Sequence, residues 1–188
     1  DDDVVGDAAR SLWKDTQGLL QQMIGGQWIA AKGVVGFWPA NADGDDVIVW
    51  TDESRSTERA RFFTLRQQME KTNDKGQFAL SDFMAPKGAD YVGGFAVTAG
   101  HGELEKAKEF VDKGDDYSSI IVKALADRFA EAFAEYLHAQ VRRQLWGYAA
   151  DETLTNDDLI AEKYQGIRPA PGYPSQPDHT EKRILFDL

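Results

Sequence analysis

The chain has 188 residues, 42% of them hydrophobic and five of them tryptophan, enough apolar surface for one domain with its own core. Its 21 lysines and arginines face 32 acids, and the resulting formal charge of −11 repels a phosphate backbone and argues against nucleic-acid binding. There is no cysteine, which excludes disulfides and thiolate chemistry and fits a reducing cytoplasm, and no apolar run approaches the length of a membrane span.

Residues 4–24 set Val5, Ala8, Ala9, Leu12, Trp13, Leu19, Leu20 and Met23 at helical spacing, and Gly25-Gly26 is expected to end that helix. Residues 33–38 and 46–50 are rich in β-formers and joined through Asn41-Ala42-Asp43-Gly44, which reads as a hairpin. Residues 61–68 suit a strand or a helical turn equally. Residues 91–98 read as a strand, and Gly100-His101-Gly102 leads into a short helix over 103–113. Asp115-Asp116 then caps the longest helix, from 117 to about 146, and Asn156 is expected to cap a short helix over 157–163. His179 is expected to begin the next helix, with Glu181 near its first turn. Strands and helices follow one another irregularly. That order predicts an α+β fold, a mainly antiparallel sheet with helices packed on it, one of them long and amphipathic, in a single domain.

The long helix divides into two faces. Ile121, Leu125, Phe129, Ala132, Phe133, Tyr136 and Leu137 form an apolar stripe expected to pack on the sheet. Asp127, Glu131, Glu135, His138 and Arg142 fall near the opposite side at steps of three and four, which ordinarily marks a solvated face. Asp127 and Glu131 are like charges four residues apart, a mildly destabilising arrangement.

Familiar catalytic constellations are mostly absent. His101, His138 and His179 are scattered and have no cysteine partners, so no metal site is expected. Gly100-His101-Gly102 lacks the third glycine of a dinucleotide loop, Glu105 standing at that place, and reads as a simple strand-to-helix turn. No catalytic residue is assigned. The most distinctive segment is Ile167-Arg168-Pro169-Ala170-Pro171-Gly172-Tyr173-Pro174, where three prolines and a glycine fix an extended, sharply turned loop. Such a stiff support suits an arginine that meets a carboxylate bidentately beside an aromatic ring, although a rigid connector has the same composition.

The run from Tyr164 through Gly166, Arg168 and Gly172 to Pro174, followed by His179-Thr180-Glu181-Lys182, closely resembles the S-adenosylmethionine loop in the activation domain of cobalamin-dependent methionine synthase. Lys32-Gly33-Val34-Val35-Gly36-Phe37-Trp38-Pro39-Ala40-Asn41 resembles that family's early strand. Leu65-Arg66-Gln67-Gln68, Leu80-Ser81-Asp82-Phe83-Met84-Ala85-Pro86-Lys87, the block from Asp90 to Thr98, and Asp115-Asp116-Tyr117 resemble further family blocks in order. The stretch from Val122 to Ala149 matches almost without a break. The likeness covers essentially the whole chain.

The resemblance implies a reactivation module that binds S-adenosylmethionine and presents its methyl group to reduced cobalamin, within a methyltransferase that converts homocysteine to methionine. Arg168 would then hold the methionyl carboxylate, Tyr173 would line the pocket, and the backbone from Ala170 through Gly172 to Ser175 would offer carbonyls to the ammonium and adenine. Glu103, Asp127 and Glu131 would face the cobalamin-binding module and hydrogen-bond the histidine that leaves cobalt. The implied partners are that module, which holds the cobalamin, and a flavodoxin-type electron donor. Family members carry an upstream strand with a ligand-binding aspartate and a downstream tail with an aromatic pair. Residues 1–188 are therefore expected to be most of the domain without those two pieces, and inactive alone. The alternative is a free-standing adaptor that docks on a corrinoid protein without methyl transfer of its own.

Overall fold

The computed structural model describes residues 2–71 and 76–188. The first helix, α1 (Asp2–Gly26), buries Leu19 and Met23 and leaves Leu12 and Trp13 exposed. Its end departs from the expected glycine stop. The left-handed residue is Gln27, at φ 49°, and the amides of Gln27 and Trp28 donate to the carbonyls of Ile24 and Met23, the bond pair of a Schellman ending. Gly26 is needed for a steric reason instead. A Cβ there would lie 2.2 Å from the Trp28 indole, which folds back over the helix end.

Four strands follow: β1 (Ala30–Asp43), β2 (Asp46–Trp50), β3 (Glu58–Phe62) and β4 (Tyr91–His101), in the sheet order β3-β2-β1-β4. β1 pairs antiparallel with β2, and β2 with β3. The expected hairpin is present with a tighter turn. Asn41, Ala42 and Asp43 stay paired with Ile48, Val47 and Asp46, so Gly44 and Asp45 alone reverse the chain. Gly44 sits at φ 62°, where a two-residue turn with glycine first requires it. Strand β3 ends at Phe62, and residues 63–68 belong to neither a strand nor a helix. A single 3-10 turn occupies Leu80–Phe83.

The helices α2 (Glu103–Asp112) and α3 (Asp116–Gln140) form where expected, and the Asp115 carboxylate accepts from the Ser118 amide at 2.9 Å. A π turn over Val141–Leu145 continues α3. The cap of α4 (Asn156–Ile160) is Thr155, not Asn156. The reciprocal capping box needs an acid three residues on: Thr155 has Asp158 there, whereas Asn156 has Leu159. The last helix, α5 (Glu181–Asp187), begins after Thr180. The mixed helix and antiparallel-sheet architecture is the α+β fold that the sequence predicts.

The chain folds into two compact units, Asp1–Val34 with Ala96–Tyr148 and Val35–Phe95 with Ala149–Leu188. In the first unit, Leu19 and Met23 of α1 meet Ile121 and Val122 of α3, with Trp28, Ile29, Phe110, Leu125 and Phe129 against them. Each fully buried side chain of this size stabilises the fold by about 1.5–3 kcal/mol. The buried stripe of α3 is therefore displaced from the expected one. Val122 and Ala126 are buried, while Ala132 and Tyr136 are exposed, because α1 and α2 rather than the sheet cover its first half. Farther along, Phe133 and Leu137 close on Gly33 of β1, where a Cβ would come within 3.0 Å of Leu137.

In the second unit, Ala40, Val47, Val49 and Phe62 form the core, with Trp38, Met84, Ile184 and Leu185 packed on it. Gly94 of β4 makes room for α5: a Cβ there would sit 2.7 Å from Leu185. Among the described residues, no helix is long and apolar enough to cross a membrane.

Candidate functional site

Local bonds shape the proline-rich loop in the second unit. The Tyr173 amide donates to Ala170 O at 2.9 Å, Gln176 N to Tyr173 O at 2.9 Å, and Gly172 N to Gln176 O at 2.7 Å. Gly172 stands at φ 110°, where a Cβ would lie 2.2 Å from the His179 ring. The glycine is thus required twice, by its backbone and by its neighbour. Arg168 is half-buried, with its Nε shielded from solvent. Tyr173 is 53% exposed, Ala170 is exposed, and Ser175 is half-buried.

The carbonyls in this loop are not equivalent. Ala170 O and Tyr173 O accept within the loop, and Ser175 O accepts from the Leu80 amide at 3.0 Å. None of the backbone hydrogen bonds that shape the loop ends on the carbonyls of Pro171, Gly172 or Pro174. These three carbonyls take no part in the loop's own backbone bonding. A guanidinium and backbone carbonyls carried on one loop are the kinds of donor and acceptor that an amino-acid end, carboxylate with ammonium, requires.

The loop is footed on the 3-10 turn Leu80–Phe83. Asp82 Oδ2 accepts from the Ala79 amide at 3.0 Å, closing that turn. Arg66 grips the same carboxylate with both terminal nitrogens, Nη1 to Oδ2 at 2.6 Å and Nη2 to Oδ1 at 2.8 Å. Its other edge donates to Asp45 in the hairpin turn, Nη2 to Oδ1 at 2.6 Å, and Nη1 also reaches Gln77 O at 2.8 Å. The Arg66 guanidinium, followed by the Ala79 amide, holds the Asp82 carboxyl below the usual range, and the two acids push Arg66 upward.

Beyond the loop, Asp178 accepts from the Thr180 amide and hydroxyl, both at 2.8 Å, which sets the start of α5 and keeps its carboxyl low. Glu181 is only 2% exposed and accepts from the Phe63 amide at 3.2 Å. Burial pushes its carboxyl up, against that hydrogen bond and with help from Asp178 and Asp46.

Glu103, Asp127 and Glu131 belong to the first unit, while Arg168, Ala170, Gly172, Tyr173 and Ser175 belong to the second. Glu103 is the first residue of α2 and half-buried. Asp127 and Glu131 lie exposed on α3, one turn apart, clear of the residues that meet α1. The solvated face expected there ends early. His138 is 5% exposed and Arg142 fully buried, and Arg142 Nη1 lies 2.7 Å from His138 Nδ1. Helical spacing alone misses this pair, because the arc that α3 buries widens toward its C-terminal end. The one sequence signal is the position of both residues beside Leu137 and Val141. Because the guanidinium only donates, His138 Nδ1 is the acceptor.

Two comparisons with known proteins bear on this arrangement. A sequence model of the family described as vitamin B12 dependent methionine synthase, activation domain, matches residues 1–188. Among solved structures, that of the MetH reactivation domain bound to AdoHcy is similar, with 50% sequence identity and a TM-score of 0.87 over 98% of this chain. The match takes in 57% of that relative, so this chain spans a little over half of its length.

Proposed function

The chain belongs to the family of vitamin B12-dependent methionine synthase activation domains, and from that premise we propose that it is the reactivation module of such an enzyme. In this reading it binds S-adenosylmethionine and presents the sulfonium methyl group to cobalamin held by a neighbouring module. The parent enzyme is a methyltransferase that carries a methyl group from methyltetrahydrofolate to homocysteine in the cytoplasm. A flavodoxin-type donor supplies the electron for reactivation.

The observation that carries the proposal is the 50% identity to a reactivation domain whose structure holds AdoHcy, the demethylated form of S-adenosylmethionine. The loop chemistry supports the same reading. Arg168 would supply the cationic fork for the methionyl carboxylate, and the backbone from Ala170 through Gly172 to Ser175 would offer carbonyls to the ammonium and the adenine amine. Tyr173, half-exposed on the same turn, offers an aromatic wall. Reduced cobalamin supplies a strong nucleophile, and the sulfonium methyl is a strong electrophile. When the methyl group leaves, the carbon–sulfur electron pair stays on sulfur, so no proton moves and no side chain is needed as acid or base. What remains for this chain is to hold the donor in line and keep it there. Asp127 and Glu131, with Glu103, serve as the docking surface toward the cobalamin module and accept a hydrogen bond from its displaced histidine. The exposure of the two α3 acids supports that part of the reading.

In this proposal the upstream strand and downstream tail that the family resemblance implies contribute to the ligand pocket beside the residues of this chain. The test is calorimetric titration with S-adenosylmethionine and AdoHcy on residues 1–188 and on a chain extended at both ends, each with and without Arg168→Ala. Tight binding by the extended chain, weak binding by the shorter one, and a loss in Arg168→Ala on the order of 1.5–3 kcal/mol are expected. No binding by the extended chain would leave an adaptor function in its place.

A further inference from the structure

One backbone hydrogen bond, Leu80 N to Ser175 O at 3.0 Å, joins the ligand loop to the 3-10 turn of its unit. Leu80 is the first residue of the 3-10 turn, so the direction of its N–H depends on how that turn is held. A turn of four residues has little rigidity of its own. Here Asp82 closes it from inside through the Ala79 amide, and Arg66 locks Asp82 from outside through two parallel hydrogen bonds. Arg66 is itself anchored on the Asp45 carboxylate in the hairpin turn between β1 and β2. Ser81, also in the 3-10 turn, is buried, and its amide points to the Thr64 hydroxyl, which in turn donates to Asp45 O. Two parallel routes therefore run from the hairpin turn to the foot of the loop.

We infer that Arg66 and Asp82 are positioning residues for ligand binding, acting through the Leu80–Ser175 hydrogen bond on the loop that carries Arg168 and Tyr173. The inference rests on the reading of that loop as the S-adenosylmethionine site. Neither side chain needs to touch the ligand. Their pair is about one-third exposed on each side, 36% and 33%, so an ordinary single-point ion pair there would contribute little. The bidentate fork is what fixes an angle, and lysine has no fork to offer.

The experiment compares Arg66→Lys, Asp82→Asn and Arg168→Ala in the full-length protein. It measures amide exchange over residues 79–83 and 170–176 without ligand, AdoHcy affinity by calorimetry, and thermal unfolding. For Arg66→Lys and Asp82→Asn, cooperative unfolding should persist, exchange of both segments should quicken, and affinity should weaken by about tenfold. Asp82→Asn keeps an acceptor for Ala79 and carries the test if Arg66→Lys does not fold. Wild-type exchange in these segments overturns the inference. So does wild-type affinity in both positioning variants when Arg168→Ala has lost it. Wild-type affinity in Arg168→Ala fails the ligand-loop reading itself, and the positioning role falls with it.

Discussion

Gly172→Ala is a demanding test of the loop geometry because two independent costs meet at one atom. The first is conformational. At φ 110° a residue with a Cβ is strained, typically by about 1–3 kcal/mol. The second is steric. The new carbon would lie 2.2 Å from His179 Cε1, 2.6 Å from Nε2 and 2.8 Å from Nδ1, inside any tolerable contact. His179 is exposed, so its ring can swing away at the cost of a rotamer, and the backbone strain should dominate. The expected loss is about 2 kcal/mol, or a fall in Tm of about 4–8 °C for a chain of this size. Ligand affinity should fall as well, because Gly172 N–H holds Gln176 O at 2.7 Å and that bond closes the turn bearing Tyr173. Thermal unfolding and calorimetry on Gly172→Ala and on Gly172→Ala/His179→Ala separate the two costs. The double variant should recover only the smaller, steric part. An unchanged Tm in Gly172→Ala would refute the reasoning, and full recovery in the double variant would show that the backbone strain was overstated.

Glu181→Gln keeps an acceptor for the Phe63 amide and removes a buried charge. Because burial raises the Glu181 carboxyl in the folded state, its favourable contribution is present at pH below the ordinary glutamate range and is lost as pH rises through the raised value. The variant should therefore unfold at a higher temperature than wild type at pH 7, with the difference closing near pH 4; equal melting at both pH values would count against a buried charge. Arg168→Lys should bind S-adenosylmethionine more tightly than Arg168→Ala yet more weakly than wild type, since it keeps charge without the fork; titration of all three decides this. Asp127→Asn with Glu131→Gln should leave this chain as stable or slightly more so, by about 0.2–0.5 kcal/mol, because one repulsive pair four residues apart is gone. In the whole enzyme the same change should shift the cobalt spectrum away from the reactivation state; a large loss of stability with no spectral change would make these acids structural.

The features legible in the sequence are those whose cause is local. Asp115 caps α3 because an acid before a helix finds an amide three residues on, and the hairpin forms because a glycine stands between two β-rich runs. The features that periodicity misplaces depend on distant partners. Gln27 rather than a glycine takes the left-handed end of α1, and Gly26 answers instead to the Trp28 ring, which occupies the space a Cβ would need. His138 and Arg142 share the spacing of the exposed acids, and their burial is decided by what lies against the end of α3, which periodicity does not record. Thr155 is legible in principle, since Asp158 stands three residues beyond it, but the stronger capping residue Asn156 stands next door and masks it.

The proline-rich loop is half legible in the same sense. Its stiffness follows from Pro169, Pro171, Pro174 and Gly172, each of which removes a donor or fixes a turn in plain view. Its orientation does not, because the bond that sets it joins Leu80 to Ser175 and the clamp behind that bond joins Arg66 to Asp82, 16 residues apart. Stiffness without orientation holds a ligand firmly in the wrong place. In the proposed methyl transfer, which needs no proton relay, geometry is what this chain would contribute, and a small misplacement of the donor would cost rate even where affinity holds. The residues that set the loop's angle then matter as much as those that line it. The clamp at Arg66 and Asp82 is for that reason where a conservative substitution should be most informative, since lysine keeps the charge without the fork and asparagine keeps the shape and one acceptor without the charge.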